Sequence, residues 1–358
     1  MNNTIITFSE ESADIQRFLD LPRRLYSPKE RMQQPDVEQK ILKGTHILSH
    51  YFKIFPLLAS DEQGNTISRA ILTIYPGDPA AYLGFFESED CEEAVRLLFD
   101  KAESIAKKYN CTRIIGPVDA SFWIGYRLKT NHFDKSYTGE PYNRDYYLRL
   151  WQSAGYAITE RYYSNHYGTI APSYQNPLFS SRLAQKHAEG YQIISPSKDT
   201  FDHTLREVYS LLIELYKTFP AYKPITLEEF VTLYSYLKDL IHYPMVKMAY
   251  YQEKPVGFFI SIPDYKNRIY GKLSFFDYLY ILRTHKKPRS YVMLYMGIDG
   301  SHHGLGKAMA EAIKQELQRT GVPSVGALIR KGNINKDYFQ ELIDFEYEYV
   351  LLAKELLP

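Results

Sequence analysis

The stretch of this chain best suited to chemistry runs Tyr291-Val-Met-Leu-Tyr-Met-Gly-Ile-Asp-Gly-Ser-His-His-Gly-Leu-Gly-Lys-Ala-Met. It reads as an apolar strand, a polar turn and a helix on which Ala308, Ala312, Ile313 and Leu317 share one face. Glycines directly before a helix let backbone N–H groups converge on one point, and the helix dipole adds positive potential there. A pyrophosphate is the natural occupant. Two familiar phosphate loops do not fit. Gly306-Lys307 is not followed by Ser or Thr, and Ser301 stands where a P-loop needs its first glycine. Met309 stands where a dinucleotide fold needs its third.

Other chemically able residues read more blandly. His302 and His303 are adjacent, so their side chains diverge, and no Cys or carboxylate cluster stands at ligand spacing; no metal is expected. Cys91 opens a helix, which favours a thiolate, yet no base is identifiable beside it. Phe122, Trp123, Tyr126 and Phe133, with Tyr142, Tyr146, Tyr147 and Trp151, make an aromatic zone that reads mainly as core and partly as a pocket wall.

The elements that must position the glycine turn follow a repeated schedule. In the first half a helix around Ile15 to Leu19 precedes a basic, proline-broken segment from Pro22 to Pro35. Strand patterns follow at Phe52 to Leu58, Ile67 to Tyr75 and Ala81 to Phe86, then a helix capped at Ser88, a strand at Thr112 to Ile115, a helix at Arg144 to Ser153 and a strand at Tyr156 to Tyr163. A connecting helix spans Ile170 to Glu189. The second half repeats the order: a strand at Tyr191 to Ile194, helices at Thr204 to Lys217 and Leu227 to Leu240, and strands at Val246 to Tyr251, Val256 to Ile262 and Ile269 to Phe276. A basic loop at Arg283 to Arg289, the apolar strand, the glycine turn with its helix, a strand at Ser324 to Ile329, a short helix from Asn335 and a strand at Tyr347 to Leu352 complete it. This predicts two similar domains, 1–168 and 191–358, joined by a connecting segment at 169–190.

The 358 residues carry a net charge of +1, with 45% hydrophobic and 24% charged residues. That is ordinary for a globular chain and offers no overall field to recruit nucleic acid or an anionic membrane. Two cysteines cannot build a disulfide framework, and no apolar run reaches the roughly 20 residues that cross a bilayer. The N-terminus lacks the basic start and apolar run of a signal peptide, so a cytoplasmic protein is expected.

With its flanking elements, the loop Ser301-His302-His303-Gly304-Leu305-Gly306 resembles motif A of the GNAT N-acetyltransferase superfamily. Downstream, Val325-Gly-Ala-Leu-Ile, Asn333 and Phe345 are similar to that fold's fifth strand and following helix. Phe18 to Tyr26, Gly84 to Asp90, Gly116-Pro117, Pro141 to Tyr147 and Gly155-Tyr156 resemble a bacterial group with tandem GNAT-like domains. The resemblance implies an α/β (α+β) fold of two GNAT-like domains, each a mixed, mostly antiparallel sheet flanked by helices. It implies that acetyl-CoA or another acyl-CoA is the co-substrate. His303, Gly304, Leu305, Gly306 and Lys307 would hold the pyrophosphate, the strand edge including Met296 and Ile298 would pair with pantetheine, and Asn333 would meet its other end.

The sequence also departs from the family pattern. Ser301 replaces the usual Gln or Arg, Asp344 the usual Gly, and Gln340 stands where many members carry a proton-returning tyrosine. Tyr338 lies two positions early, about 200° around an ideal helix. It is the catalytic candidate by default, with Asp277, Asp299 and Tyr295 as candidate bases. In the first half Glu87, Glu89 and Asp90 occupy the place of the glycines and would repel a pyrophosphate. The implied activity is acyl transfer from acyl-CoA to a small amine or amino-acid-like acceptor. The alternatives are a non-catalytic CoA- or metabolite-binding protein and an aminoacyl-tRNA-dependent transferase.

Overall fold

The computed structural model describes residues 4–7, 12–270 and 272–356. The first half comprises β1 (Thr4–Thr7), α1 (Ser12–Leu25), α2 (Pro35–Leu42), β2 (Lys53–Ser60), β3 (Thr66–Ile74), β4 (Ala80–Ser88), α3 (Glu92–Lys108), β5 (Arg113–Gly116), the short β6 (Leu128–Lys129), α4 (Tyr147–Ser153) and β7 (Ala157–Tyr167). After the connecting α5 (Pro177–Ala188) come β8 (Gln192–Ile194), α6 (Phe201–Leu215), α7 (Leu227–Tyr234), β9 (Val246–Tyr251), β10 (Lys254–Pro263), α8 (Phe275–Lys286), β11 (Tyr291–Ile298), α9 (Leu305–Thr320), β12 (Ser324–Arg330) and β13 (Ile343–Glu355).

Among the described residues the strands form one sheet in the order β1-β2-β3-β4-β5-β13-β7-β12-β11-β10-β9-β8, with β6 added on β13. Among the described residues only β4–β5 and β11–β12 pair in parallel. The halves exchange their last strands. β7 pairs with β12 of the second half, and β13 pairs with β5 of the first. The long β7–β13 ladder, from Ile343↔Tyr167 to Ala353↔Ala157, then fuses the two sheets.

One face of the sheet carries α1, α2, α6 and α7 over a shared core that includes Phe18, Ile71, Trp123, Phe230 and Phe258. On the opposite face α3 and α4 cover the first half around Leu98, Phe99 and Trp151. There α5 and α9 cover the second half around Phe179, Met309 and Ile313. The sequence pattern does not show α2, whose first residue, Pro35, suits a first helical turn because an N–H there has no intrahelical acceptor to lose.

Several predicted elements are corrected. Ile269 to Phe276 is not a strand. Ser274 and Asp277 form a capping box, each side chain accepting the other's backbone N–H, so the aromatic run begins α8. Phe275 and Phe276 therefore stand exposed, and the basic stretch from Arg283 straddles the end of that helix. Ser88 ends β4, and the residue preceding α3 is Cys91. The helix predicted from Arg144 begins at Tyr147. The segment after Asn333 makes two 3-10 turns, Ile334–Asp337 and Gln340–Leu342, rather than an α-helix.

Candidate functional site

The parallel pairing of β11 with β12 covers only Tyr291↔Ser324, Val292↔Val325 and Met293↔Gly326; beyond it the strands separate. A local cause is visible on each side. On β11, Ile260↔Tyr295 is followed by Ser261↔Met293, so Leu294 has no residue opposite it on β10, which is a β-bulge. On β12 the register against β7 slips between Gly326 and Ile329, and Leu328 takes a left-handed φ of 58°. Its N–H is accepted by Ser164 Oγ at 2.8 Å. The two distortions open a V between adjacent strands.

Past the V, the chain turns through Asp299 to Gly304 into α9. Gly304 is the N-cap with φ 80°, a conformation that costs glycine nothing. Leu305 N–H reaches His302 O and Ala308 N–H reaches Gly304 O. Among the described residues the amides of His303, Gly304, Gly306 and Lys307 have no backbone acceptor. They are the unsatisfied first-turn donors of a 16-residue helix, and they suit a pyrophosphate. Gly306 is also needed sterically: a Cβ there would lie 2.7 Å from Tyr338 Oη and 3.3 Å from Met296 Cε. Met296 and Ile298 pack with the core on the α9 side, and Asn335 Nδ2 contacts Met296 Sδ at 3.4 Å. Lys307 Nζ lies 5.9 Å over the ring of Phe179.

The remaining sequence candidates separate. Tyr338 faces the glycine turn because its segment is not α-helical, so the helical phase argument against it does not apply. Its ring packs edge-on to Phe179. Gln340 is exposed. Asn333 is exposed and caps the first 3-10 turn, accepting from Asn335 N–H at 3.1 Å. Asp299 accepts from the N–H and hydroxyl of Ser301, which hold its carboxyl below the usual range. Asp277 caps α8, and Ser274, with Arg268, holds it near 2. Neither carboxylate suits a base. Tyr295 points to the other face, its ring edge-on to Tyr234 with centroids 6.5 Å apart, and burial pushes its hydroxyl up, so it remains protonated. His302 Nδ1 is bonded to Tyr191 Oη at 2.7 Å. Among the described residues no group of His, Cys, Asp and Glu is placed to hold a metal ion.

A cavity of about 1450 Å³ runs from the glycine turn and Tyr338 through the V to that other face and on into the first half. Its walls include Tyr216, Tyr234 and Tyr295 from the second half and Phe122, Trp123, Tyr126 and Arg127 from the first. The aromatic zone of the sequence thus divides. Trp151 is core, whereas Phe122, Trp123 and Tyr126 line the cavity.

The first half carries the same splay in closed form. β4 and β5 pair only over Ala80↔Arg113, Ala81↔Ile114 and Tyr82↔Ile115. Val118 N–H then bonds Leu83 O, the Asp119 carboxylate accepts Phe85 N–H, and Tyr147 Oη accepts Ser88 N–H. Glu89 pairs with Arg24 and Asp90 with Arg149. The amides of Phe85, Ser88 and Val118 in this splay are thus already bonded within the protein. This V lies four strand spacings of ~4.8 Å, about 19 Å, from the open one, so its carboxylates do not serve chemistry there.

Glu87 is buried here and accepts from Tyr26 Oη and Tyr147 Oη, both at 2.7 Å, and from Gln33. Burial raises its pKa to about 7 from 4.5. A raised carboxyl stabilises the fold fully below pH 4.5, and that contribution is lost as pH rises through about 7. Glu87→Gln is therefore expected to stabilise the protein at pH 8, by roughly 1–3 kcal/mol, and to do little at pH 5. The buried Gln33 Oε1, which has no partner, would accept the new amide after a flip. Urea denaturation at both pH values is the check; equal shifts at both would refute the assignment.

No family model matches the chain, and none of the curated proteins matches it. Solved structures do. A tandem GNAT protein from the clavulanic acid biosynthesis pathway superposes with a TM-score of 0.53 at 12% identity, over 100% of this chain and 99% of its own. A GCN5-related N-acetyltransferase from Sphaerobacter thermophilus gives 0.50 at 12% identity, over 99% and 96%. A glucosamine N-acetyltransferase region in a fungal multi-domain β-N-acetylglucosaminidase gives 0.53 at 13% identity, over 99% of this chain and 38% of that one. At such identities the likeness is one of fold. The chain has the tandem GNAT fold, a mixed and mostly antiparallel sheet flanked by helices, as the resemblance implied. No helix among the described residues is long and apolar enough to cross a membrane.

Proposed function

We propose that the chain is an acyl-CoA-dependent N-acyltransferase that takes a small amine and binds CoA only in its second half. The observation that carries this reading is the open V: it runs from the free amides of α9 on one face to the large cavity on the other. Acyl-CoA, when bound, would supply the acyl group as a thioester, with CoA thiol as the leaving group. The amides of His303, Gly304, Gly306 and Lys307 would hold its pyrophosphate, and the unpaired edge of β11 would pair with the pantetheine amides. Tyr338 Oη beside Gly306 suits a hydrogen bond to the same ligand. Backbone N–H groups around the Leu294 bulge are suited to a developing oxyanion.

The acceptor would enter from the cavity, as a neutral amine, since Tyr295 and Tyr234 are held protonated by burial and are poor bases. Its proton would leave through water. None of the candidate bases Asp277, Asp299 and Tyr295 suits the role, which favours, as a second reading, a protein that binds CoA without turning it over. One experiment separates the two: mass spectrometry for copurified CoA, with thiol release from acetyl-CoA measured against a panel of amines and amino acids. Release above background with any acceptor is the expected result. Tight CoA binding with no release would support the second reading, and no CoA binding would end both.

A further inference from the structure

We propose that the acceptor carries a carboxylate and that Arg127, from the first half, binds it; this rests on the acyltransferase reading above. Arg127 follows the β5 strand in a loop pinned by its own N–H to Pro117 O at 3.1 Å and by the bridge of Val118 to Tyr126. Its φ is 94°, a conformation rarely tolerated outside glycine and costing on the order of 1–3 kcal/mol. The strain aims the side chain into the cavity. There the guanidinium carbon lies 3.7 Å over the Tyr126 ring and 4.2 Å from that of Tyr162, and one amino group donates to Tyr126 Oη. Tyr162 sits opposite Arg330 on β12, at the tip of the open V, and the positive charge acts on the hydroxyls of Tyr216 and Tyr295. Arg127 is thus a first-half residue facing the second-half site.

Among the described residues no carboxylate pairs with this cation, and its buried Nε has no acceptor. Three other cations along the wall are answered: Arg69 by Glu38 at 2.6 Å, Lys314 by Glu311 at 2.8 Å and Arg330 by Glu160 at 2.6 Å. A partly buried cation left without a counter-charge carries a cost, and an anionic ligand removes it. With its faces against aromatic rings, the guanidinium offers its edge, whose parallel N–H groups match a carboxylate. One unpaired cation suits one negative charge, so a carboxylate is favoured over a phosphate dianion. With the carboxylate at Arg127, the amine end points toward β11, the geometry of an amino-acid-like acceptor.

The test compares 4-hydroxyphenylacetate with its amide by calorimetry on the full chain, which needs no turnover. The acid should bind at least tenfold more tightly than the amide. Arg127→Met should erase the difference while leaving acetyl-CoA affinity unchanged, and Arg127→Lys should restore only part of it. Turnover then reads the same contact: kcat/KM for amino acids should fall about thirtyfold in Arg127→Met, with amino acid amides unaffected. Equal binding of acid and amide, or retention of the acid by Arg127→Met, would overturn the inference. Carboxylate binding at Arg127 without thiol release would remove the acyltransferase reading and leave the anion site standing.

Discussion

Gly306→Asp is expected to remove acetyl-CoA binding, with a loss of at least about a hundredfold, ~2.7 kcal/mol. Three effects act together. The new Cβ would lie 2.7 Å from Tyr338 Oη and 3.3 Å from Met296 Cε, so both side chains must move out of the turn. The carboxylate would sit in the first turn of α9, where it can accept the free amides that otherwise face a pyrophosphate. It would also repel the phosphates directly. An acidic residue in a first helical turn stabilises the helix, so thermal stability should be unchanged or slightly raised. Folded protein without CoA affinity is the predicted signature in calorimetry paired with thermal unfolding. Gly306→Ala, which adds bulk without charge, should lose less. Wild-type affinity in the aspartate variant would place CoA elsewhere or nowhere.

The glycine turn was legible because its signal is local: strand, polar turn and helix lie within one short stretch, and Gly304 and Gly306 stand where backbone and space demand them. What makes the turn useful was not. The Leu294 bulge and the left-handed Leu328 are pairing events between strands distant in sequence, and nothing in Met293-Leu294-Tyr295 announces a skipped partner. The exchange of β7 and β13 is hidden for the same reason, since a strand pattern shows which residues are extended but not which neighbour they choose. Two misreadings had better clues. Ser274-Phe-Phe-Asp277 is a cap signature that was outweighed by the β-propensity of the aromatic residues after it. Tyr338 reads as a poorly placed candidate only on a helical phase that two 3-10 turns do not have. Arg127 gave no sign, because an unpaired charge is defined by absent neighbours, which only the fold reveals.

The second large effect is expected at the seam between the halves, in stability rather than binding. Lys129 and Glu140 form an ion pair at 2.6 Å with both side chains at 0% exposure. Glu140 also accepts from Tyr349 Oη on β13. That hydroxyl meets Tyr137 Oη at 2.9 Å, which meets Ser164 Oγ on β7 at 2.8 Å, and Ser164 holds the Leu328 N–H that bends β12. One buried carboxylate thus anchors both exchanged strands and the bulge that opens the V. Glu140→Ala would leave the buried Lys129 ammonium without its counter-charge, held by Lys135 O at 2.6 Å and the rings of Tyr142 and Tyr347, a loss of about 3–5 kcal/mol. That is a large part of the 5–15 kcal/mol typical of whole domains. Lys129→Met combined with Glu140→Leu removes both charges and should cost clearly less, which distinguishes an orphaned charge from lost packing. The pH dependence gives a second check. Burial already lowers the Lys129 pKa, and without Glu140 it would fall further. The folded state then binds fewer protons than the unfolded one, so Glu140→Ala should regain stability as pH rises toward 10. Urea denaturation of the three proteins between pH 7 and 10 measures both effects. A loss under about 1 kcal/mol, or one that does not shrink with rising pH, would mean that the pair does not carry the seam.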